Sequence, residues 1–266
     1  MATTPWDRRI ERAETLARQH PCALEILSFY SGVARFQEGL HRQLERAADQ
    51  QKESAAGQTG PPELPLLMSS FERFLSVVGE NAPPRLTEAA RELHGLGEDG
   101  WSQLLNDCWL SSDISPAHPA QFLARAFLQP YAEWLRSRAA MNWQNYNDPR
   151  CPFCNRKPGF GILRQQGDGA RRSLMCSFCL AEWDFRRIVC PACGEEDNSK
   201  LPVYTADEFD YIRVECCDTC KTYIKGINLT RNGLAEPMVD ELASAPLDLW
   251  ARDHGYTKVE LNLIGL

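Results

Sequence analysis

Cys151-Pro-Phe-Cys154, Cys176-Ser-Phe-Cys179, Cys190-Pro-Ala-Cys193 and Cys217-Asp-Thr-Cys220 decide how the rest of this chain is read. They are four CxxC pairs in two matched units. The first pairs of the two units lie 39 residues apart and the second pairs 41. Each unit opens with a CPxC pair. Each second pair follows a strand-like run and precedes an aromatic, Trp183 in one unit and Tyr223 in the other. Such self-similarity points to duplication of one small module. Two residues between cysteines let a tight turn aim both sulfurs at one point, and two such turns complete a tetrahedron of thiolates. Sequential pairing places Cys151, Cys154, Cys176 and Cys179 at one metal and Cys190, Cys193, Cys217 and Cys220 at another. Crossed pairing is the alternative that breaks the module symmetry. A tetrahedral four-thiolate site suits zinc or iron. Closed sites of this kind leave no open position for Lewis-acid catalysis. A small module with few apolar residues needs the metal as its main source of folding free energy.

The knuckle geometry favours a residue that tolerates left-handed backbone just after the second cysteine. Gly194 and Asn155 suit that position; Leu180 and Lys221 do not, so their turns are expected to be less regular. Short antiparallel strands are expected at 160–165, 172–176, 201–205 and 211–215.

Outward from this region the texture changes near Asp148-Pro149-Arg150. Before it, Ile26, Phe29, Val33, Phe36, Leu40, Leu44 and Ala47 recur at steps of three and four, one stripe of an amphipathic helix. Gln50–Pro65 reads as a linker, Leu66–Val78 as a helix, and Pro83-Pro84 as a stop and restart. Glu88–Leu96 and Trp101–Trp109 read as shorter helices. His118–Met141 reads as a long one that Pro130 should kink or break. After the cysteine region a helix is expected over Val239–His254 and a short strand over Val259–Ile264. The expected fold is therefore α+β in two parts: an all-α helical bundle over 1–149, four-cysteine modules of rubredoxin or zinc-ribbon type over 150–189 and 190–236, and a C-terminal helix and tail over 237–266.

The chain has 266 residues, 43% hydrophobic and 24% charged, which suits a folded globular protein. Of 11 cysteines, nine fall between Cys151 and Cys220. An odd total without a signal-peptide pattern fits metal binding better than a secreted disulfide framework. Residues 1–19 are charged and helix-patterned, with no apolar core or cleavage pattern, and no stretch approaches bilayer-spanning length. The expected location is the cytoplasm, without membrane insertion. A net charge of −7 argues against a general nucleic-acid binder.

The remaining candidates have plain readings. Cys22 and Cys108 read as small buried hydrophobes, and Cys216 as an inert spectator. Trp183 and Tyr223 read as cover over the knuckles. Arg171-Arg172 and Arg186-Arg187 read as a solvated face. The five histidines and the carboxylates form no catalytic constellation, and no phosphate-loop, dinucleotide or nucleophile-elbow motif occurs. The expectation is a protein that is not an enzyme.

The strings Leu174-Met-Cys-Ser-Phe-Cys-Leu-Ala-Glu-Trp183, Arg187-Ile-Val-Cys190-Pro-Ala-Cys193, Glu215-Cys-Cys-Asp-Thr-Cys-Lys-Thr-Tyr-Ile-Lys225 and Pro246-Leu-Asp-Leu-Trp-Ala251 resemble the formate dehydrogenase accessory protein FdhE family. Ala23-Leu-Glu-Ile-Leu-Ser-Phe-Tyr30 adds a weaker match. The resemblance implies a cytoplasmic maturation factor acting on the catalytic subunit of a respiratory formate dehydrogenase before export. It also implies rubredoxin-like iron at the eight cysteines, two ions per chain, which favours iron over zinc. The alternatives are an iron redox carrier and a zinc-ribbon adaptor for nucleic acid.

Overall fold

A computed structural model describes residues 4–51, 64–111, 118–141, 143, 146–167 and 169–262. Five helices come first: α1 (Pro5–Gln19), α2 (Leu24–Gln51), α3 (Leu64–Asn81), α4 (Pro84–Leu110) and α5 (Pro119–Arg138). Most of the linker expected over Gln50–Pro65 lies outside the described residues, and α3 already begins at Leu64. Helix α1 opens with a capping box. Thr4 Oγ1 accepts from the Asp7 N–H, and the Thr4 N–H donates to Asp7 Oδ2 at 2.8 Å. Phe71 and Phe127 meet edge to face in the bundle core, with Phe36, Phe74 and Trp101 around them.

Two helix irregularities are repaired by side chains. In α4, Gly97 takes φ 66° and ψ −175°, so the element is two helices joined at a kink, close to the two short helices expected. Trp101 Nε1 reaches across the kink and donates to the Leu93 carbonyl at 2.6 Å. In α5, Pro130 cannot donate to the Ala126 carbonyl. Of the expected kink or break, the break does not occur: the helix runs on to Arg138. Buried Gln37 of α2 donates its Nε2 to the Ala126 carbonyl at 2.6 Å, so the lost intrahelical bond becomes an interhelical one.

The second half is one sheet of seven strands: β1 (Pro158–Gln166), β2 (Gly169–Cys176), β3 (Glu182–Asp184), β4 (Val203–Thr205), β5 (Ile212–Cys217), β6 (Thr222–Asn228) and β7 (Thr257–Lys258). Its order is β3-β2-β1-β6-β5-β4, with β7 pairing β6. Each unit contributes three antiparallel strands, as the duplication suggested. The units adjoin head to tail, so their junction β1–β6 is parallel, with Gly161 opposite Gly226. That parallel seam, and strands β3, β6 and β7, were not expected.

The C-terminal helix is split into α6 (Pro237–Ala243) and α7 (Ala245–Asp253). Pro246 forces the break, because it has no N–H for the Leu242 carbonyl. The strand expected over Val259–Ile264 is absent at 259–262, and 263–264 lie outside the described residues.

Apolar contact is continuous from the bundle into the sheet, through Phe178, Leu174, Ile212, Val214, Ile224 and Leu242. The cysteine region therefore has a core of its own and shares it with the helices. The expectation that metal must substitute for a missing core is corrected on this point.

Candidate metal centres

The first quartet forms where the turns Cys151–Cys154 and Cys176–Cys179 face each other. Cys151 Sγ lies 3.5 Å from Cys179 Sγ, and Cys154 Sγ lies 3.5 Å from Cys176 and 3.6 Å from Cys179. In the second quartet Cys190–Cys220 and Cys193–Cys217 are both 3.7 Å apart. Within each quartet the four sulfurs lie inside 4.8 Å of one another. A tetrahedron with metal–sulfur arms of about 2.3 Å has edges of about 3.8 Å. A disulfide would need about 2.05 Å. Both quartets fit a four-coordinate ion, and the partners are those of the sequential pairing.

All four knuckles share one backbone plan. Asn155, Leu180, Gly194 and Lys221 all have positive φ, at 57°, 55°, 78° and 55°. In the first three, the N–H of this residue donates to the carbonyl of the first cysteine, whose own N–H donates to the residue after it. The turn at Leu180 is thus as regular as those at Asn155 and Gly194, contrary to expectation, while Lys221 shares the positive φ. Closure of the turn overrides a left-handed cost of about 1–2 kcal/mol. Backbone N–H groups also approach the sulfurs, from Phe178 to Cys176 and from Ala192 to Cys190, both at 3.4 Å.

Electrostatics call for a cation. Contacts from Cys151, Cys176 and Cys179 pull the Cys154 thiol well down, whereas burial pushes Cys176 and Cys179 well up. Four touching sulfurs cannot all ionise without positive charge between them. In the second quartet burial opposes the Cys220 thiolate, but the Thr222 hydroxyl and Cys193 bring it down to about 7.

The two centres differ in setting, and the residues inside the second knuckles explain why. Ser177-Phe178 points into the bundle. Phe178 is fully buried, with the Arg156 guanidinium 3.9 Å from its ring centre and Trp109 at its edge. Arg125 of α5 donates to Ser177 Oγ and pairs with Glu260 at 2.7 Å. Gln37 Nε2 donates to Gln129 Oε1, and Gln129 Nε2 donates to the Ser177 carbonyl at 2.9 Å. The carbonyl freed by Pro130 thus sits beside a polar relay that reaches the first centre. The second unit has Asp218-Thr219 at the equivalent place. Thr219 stays outside and donates to Glu195. Cys193 is exposed and Cys220 half-buried.

Other expected residues fall as follows. Trp183 and Tyr223 are buried cover, Trp183 donating to the Asp148 carbonyl and Tyr223 to Asp248. Cys108 is buried; Cys22 is exposed, which corrects its reading. Cys216 is buried, on the face of β5 opposite to its neighbour Cys217. Arg171 and Arg186 are exposed partners of Asp184 and Glu196. Arg172 is not a surface residue. It crosses the sheet face to pair with Glu215 at 2.7 Å and donates to the Arg186 carbonyl. Its path runs past the Gly161–Gly226 pair. A Cβ on Gly226 would come within 2.8 Å of Glu215 Oε1. The sequence reading also missed a buried ionic cluster behind the second unit. Lys225 lies 2.6 Å from Asp248 and 3.0 Å from Glu241, and Lys258 pairs with both carboxylates. No helix among the described residues is long and apolar enough to cross a membrane.

Comparison with known proteins agrees with this geometry. Residues 150–187 match the FdhE central domain and residues 188–264 the FdhE C-terminal domain. An FdhE homolog of Aquifex aeolicus is 30% identical over 96% of this chain and 94% of its own. FdhE of Escherichia coli K12 is 27% identical over 97% of this chain and 86% of its own. The crystal structure of FdhE from Pseudomonas aeruginosa superposes with a TM-score of 0.71, covering 99% of this chain and 96% of that one at 24% identity. The fold is that of a solved FdhE structure, and this chain belongs to the FdhE family.

Proposed function

We propose that the protein is a non-catalytic accessory factor that binds the catalytic subunit of a formate dehydrogenase in the cytoplasm and supports its maturation. Each sulfur quartet holds one metal ion: Cys151, Cys154, Cys176 and Cys179 the first, Cys190, Cys193, Cys217 and Cys220 the second. The observation that carries this reading is the pair of closed four-sulfur sites in a chain of the FdhE family. Bound metal would cross-link the knuckles, and iron would also be able to accept one electron. The chain's own residues set the division of labour. Arg125, Gln129 and Phe178 fix the first centre to the bundle and shield it. The second centre, with Cys193 exposed, is the one a client can reach. The region 151–236 carries 12 basic and 12 acidic residues before the thiolates are counted, which does not favour broad phosphate-backbone binding.

The test is affinity capture of the tagged protein from formate-respiring cells under reducing conditions. Recovery of the formate dehydrogenase catalytic subunit, reduced when Cys193 and Cys220 are replaced by serine, supports the proposal. Absence of the subunit together with normal formate dehydrogenase activity in a deletion strain rejects it. The exposed second centre also supports a second reading, a one-electron carrier. Its mark is a red oxidised protein that bleaches reversibly on reduction.

A further inference from the structure

Between the sheet face of the second unit and the chain leading into its first knuckle lies a cavity of about 400 Å³. Sites for small organic molecules occupy about 300–1,000 Å³ and combine apolar walls with a few placed polar groups. This cavity has both. Ile188, Leu201, Val203 and Ile224 line it, and Ile188 and Val203 are exposed at its rim. Arg172, Arg187 and Arg213 line it too, with Glu215 as the lone carboxylate among its lining residues.

At the arginine end of the cavity, away from the thiolates of Cys190 and Cys217, the charges do not balance. Glu215 already accepts from both Arg172 and Arg213, at 2.7 and 3.3 Å. Arg172 and Arg213 each keep a buried Nε–H that has no acceptor. Arg187 is exposed and has no ion pair among the described residues. Three guanidinium groups thus line a cavity with one carboxylate, which only two of them engage. Cys190, Cys216 and Cys217 form the sulfur end of the cavity. Arg213 lies four residues from Cys217 along β5, roughly 13 Å of strand rise.

We propose that this cavity binds a small organic anion, with its oxyanion group at Arg187 and Arg213 and its apolar body against Ile188, Leu201 and Val203. Cys190 and Cys217 of the second quartet line the other end of the cavity, so the site borders that metal centre, but it does not depend on the client proposed above. A carboxylate and a phosphate present the same chemistry to an arginine pair.

The probe is anilinonaphthalene sulfonate, an anion on an apolar body, titrated into the metal-loaded full chain and followed by fluorescence. One saturable site per chain is expected. Arg187→Ala, Arg213→Glu and the cavity-filling Leu201→Trp are each expected to weaken it by roughly tenfold or more, the worth of one charge-assisted bond. Metal content and far-ultraviolet circular dichroism identify variants that fold. Arg187 is exposed and has no ion pair among the described residues, so Arg187→Ala keeps the test valid if the other two do not. Displacement of the probe by inorganic phosphate marks a phosphate-reading site, and displacement by hexanoate a carboxylate-reading one; either result upholds the proposal. Non-saturable binding, binding unchanged in every folded variant, or displacement by neither anion overturns it.

Discussion

Replacing Glu215 by Gln should weaken the whole sheet, although Glu215, two residues before Cys217, belongs to neither sulfur quartet. The Arg172 side chain is only 2% exposed and Glu215 14%, and the pair spans β2 to β5 across the parallel seam. Breaking a buried pair from one side costs about 3–5 kcal/mol, because the surviving charge stays buried. The partial exposure of Glu215 and the second cation, Arg213, place the expected loss near the lower end, about 3 kcal/mol. At roughly 2–4 °C per kcal/mol for a chain of this size, the melting temperature should fall by about 6–12 °C. The assay is thermal and urea denaturation of metal-loaded protein. Two further variants isolate the cause. Gly226→Ala puts a Cβ 2.8 Å from Glu215 Oε1 and should disturb the pair. Gly161→Ala meets nothing closer than 3.6 Å and should cost less. Arg172→Met combined with Glu215→Leu should lose less than the two single losses added together. A Glu215→Gln variant within about 0.5 kcal/mol of the parent, or strictly additive single losses, would refute the reasoning.

Arg125→Met removes the link from α5 to Ser177 and strands Glu260, so chelator should extract one metal equivalent faster while the other is unchanged. Equal acceleration of both would contradict the assignment of Arg125 to the first centre. Lys221→Gly relieves a left-handed residue at φ 55° and gives up an exposed pair with Asp218 and a cation–π contact with Tyr256; a gain of up to about 1 kcal/mol is expected in denaturation, and a loss would count against the strain. Burial works against ionised Asp248, but Lys225 and Lys258 hold its folded pKa below the ordinary 3.8. Its contribution is therefore full above the unfolded value and fades as pH drops below about 4. The stability gap between parent and Asp248→Asn should shrink over that range, and a gap independent of pH would oppose this.

Local patterns were readable where neighbours in sequence settle the geometry. The CxxC spacing, the repeat and the stripe of α2 each state a short-range rule that the fold obeys. The misses share one physical cause, a partner supplied from elsewhere in the chain. Pro130 reads as a helix breaker until Gln37, 93 residues earlier, takes the freed carbonyl. Arg172 reads as surface until Glu215 and the glycine lane meet it across four strands. Lys225, Glu241, Asp248 and Lys258 look like ordinary surface charges until α6 and α7 fold onto β6. Leu180 and Lys221 have poor intrinsic preference for left-handed backbone, yet the knuckle imposes it. The contrast between Ser177-Phe178 and Asp218-Thr219 was the one local signal that distinguished a shielded centre from an open one.

The most direct measurement is metal analysis of anaerobically purified protein combined with X-ray absorption at the metal edge. The account predicts two ions per chain, each surrounded by four sulfurs at about 2.3 Å. Fewer than two ions, nitrogen or oxygen in the coordination sphere of either, or cysteines recovered as disulfides would contradict it.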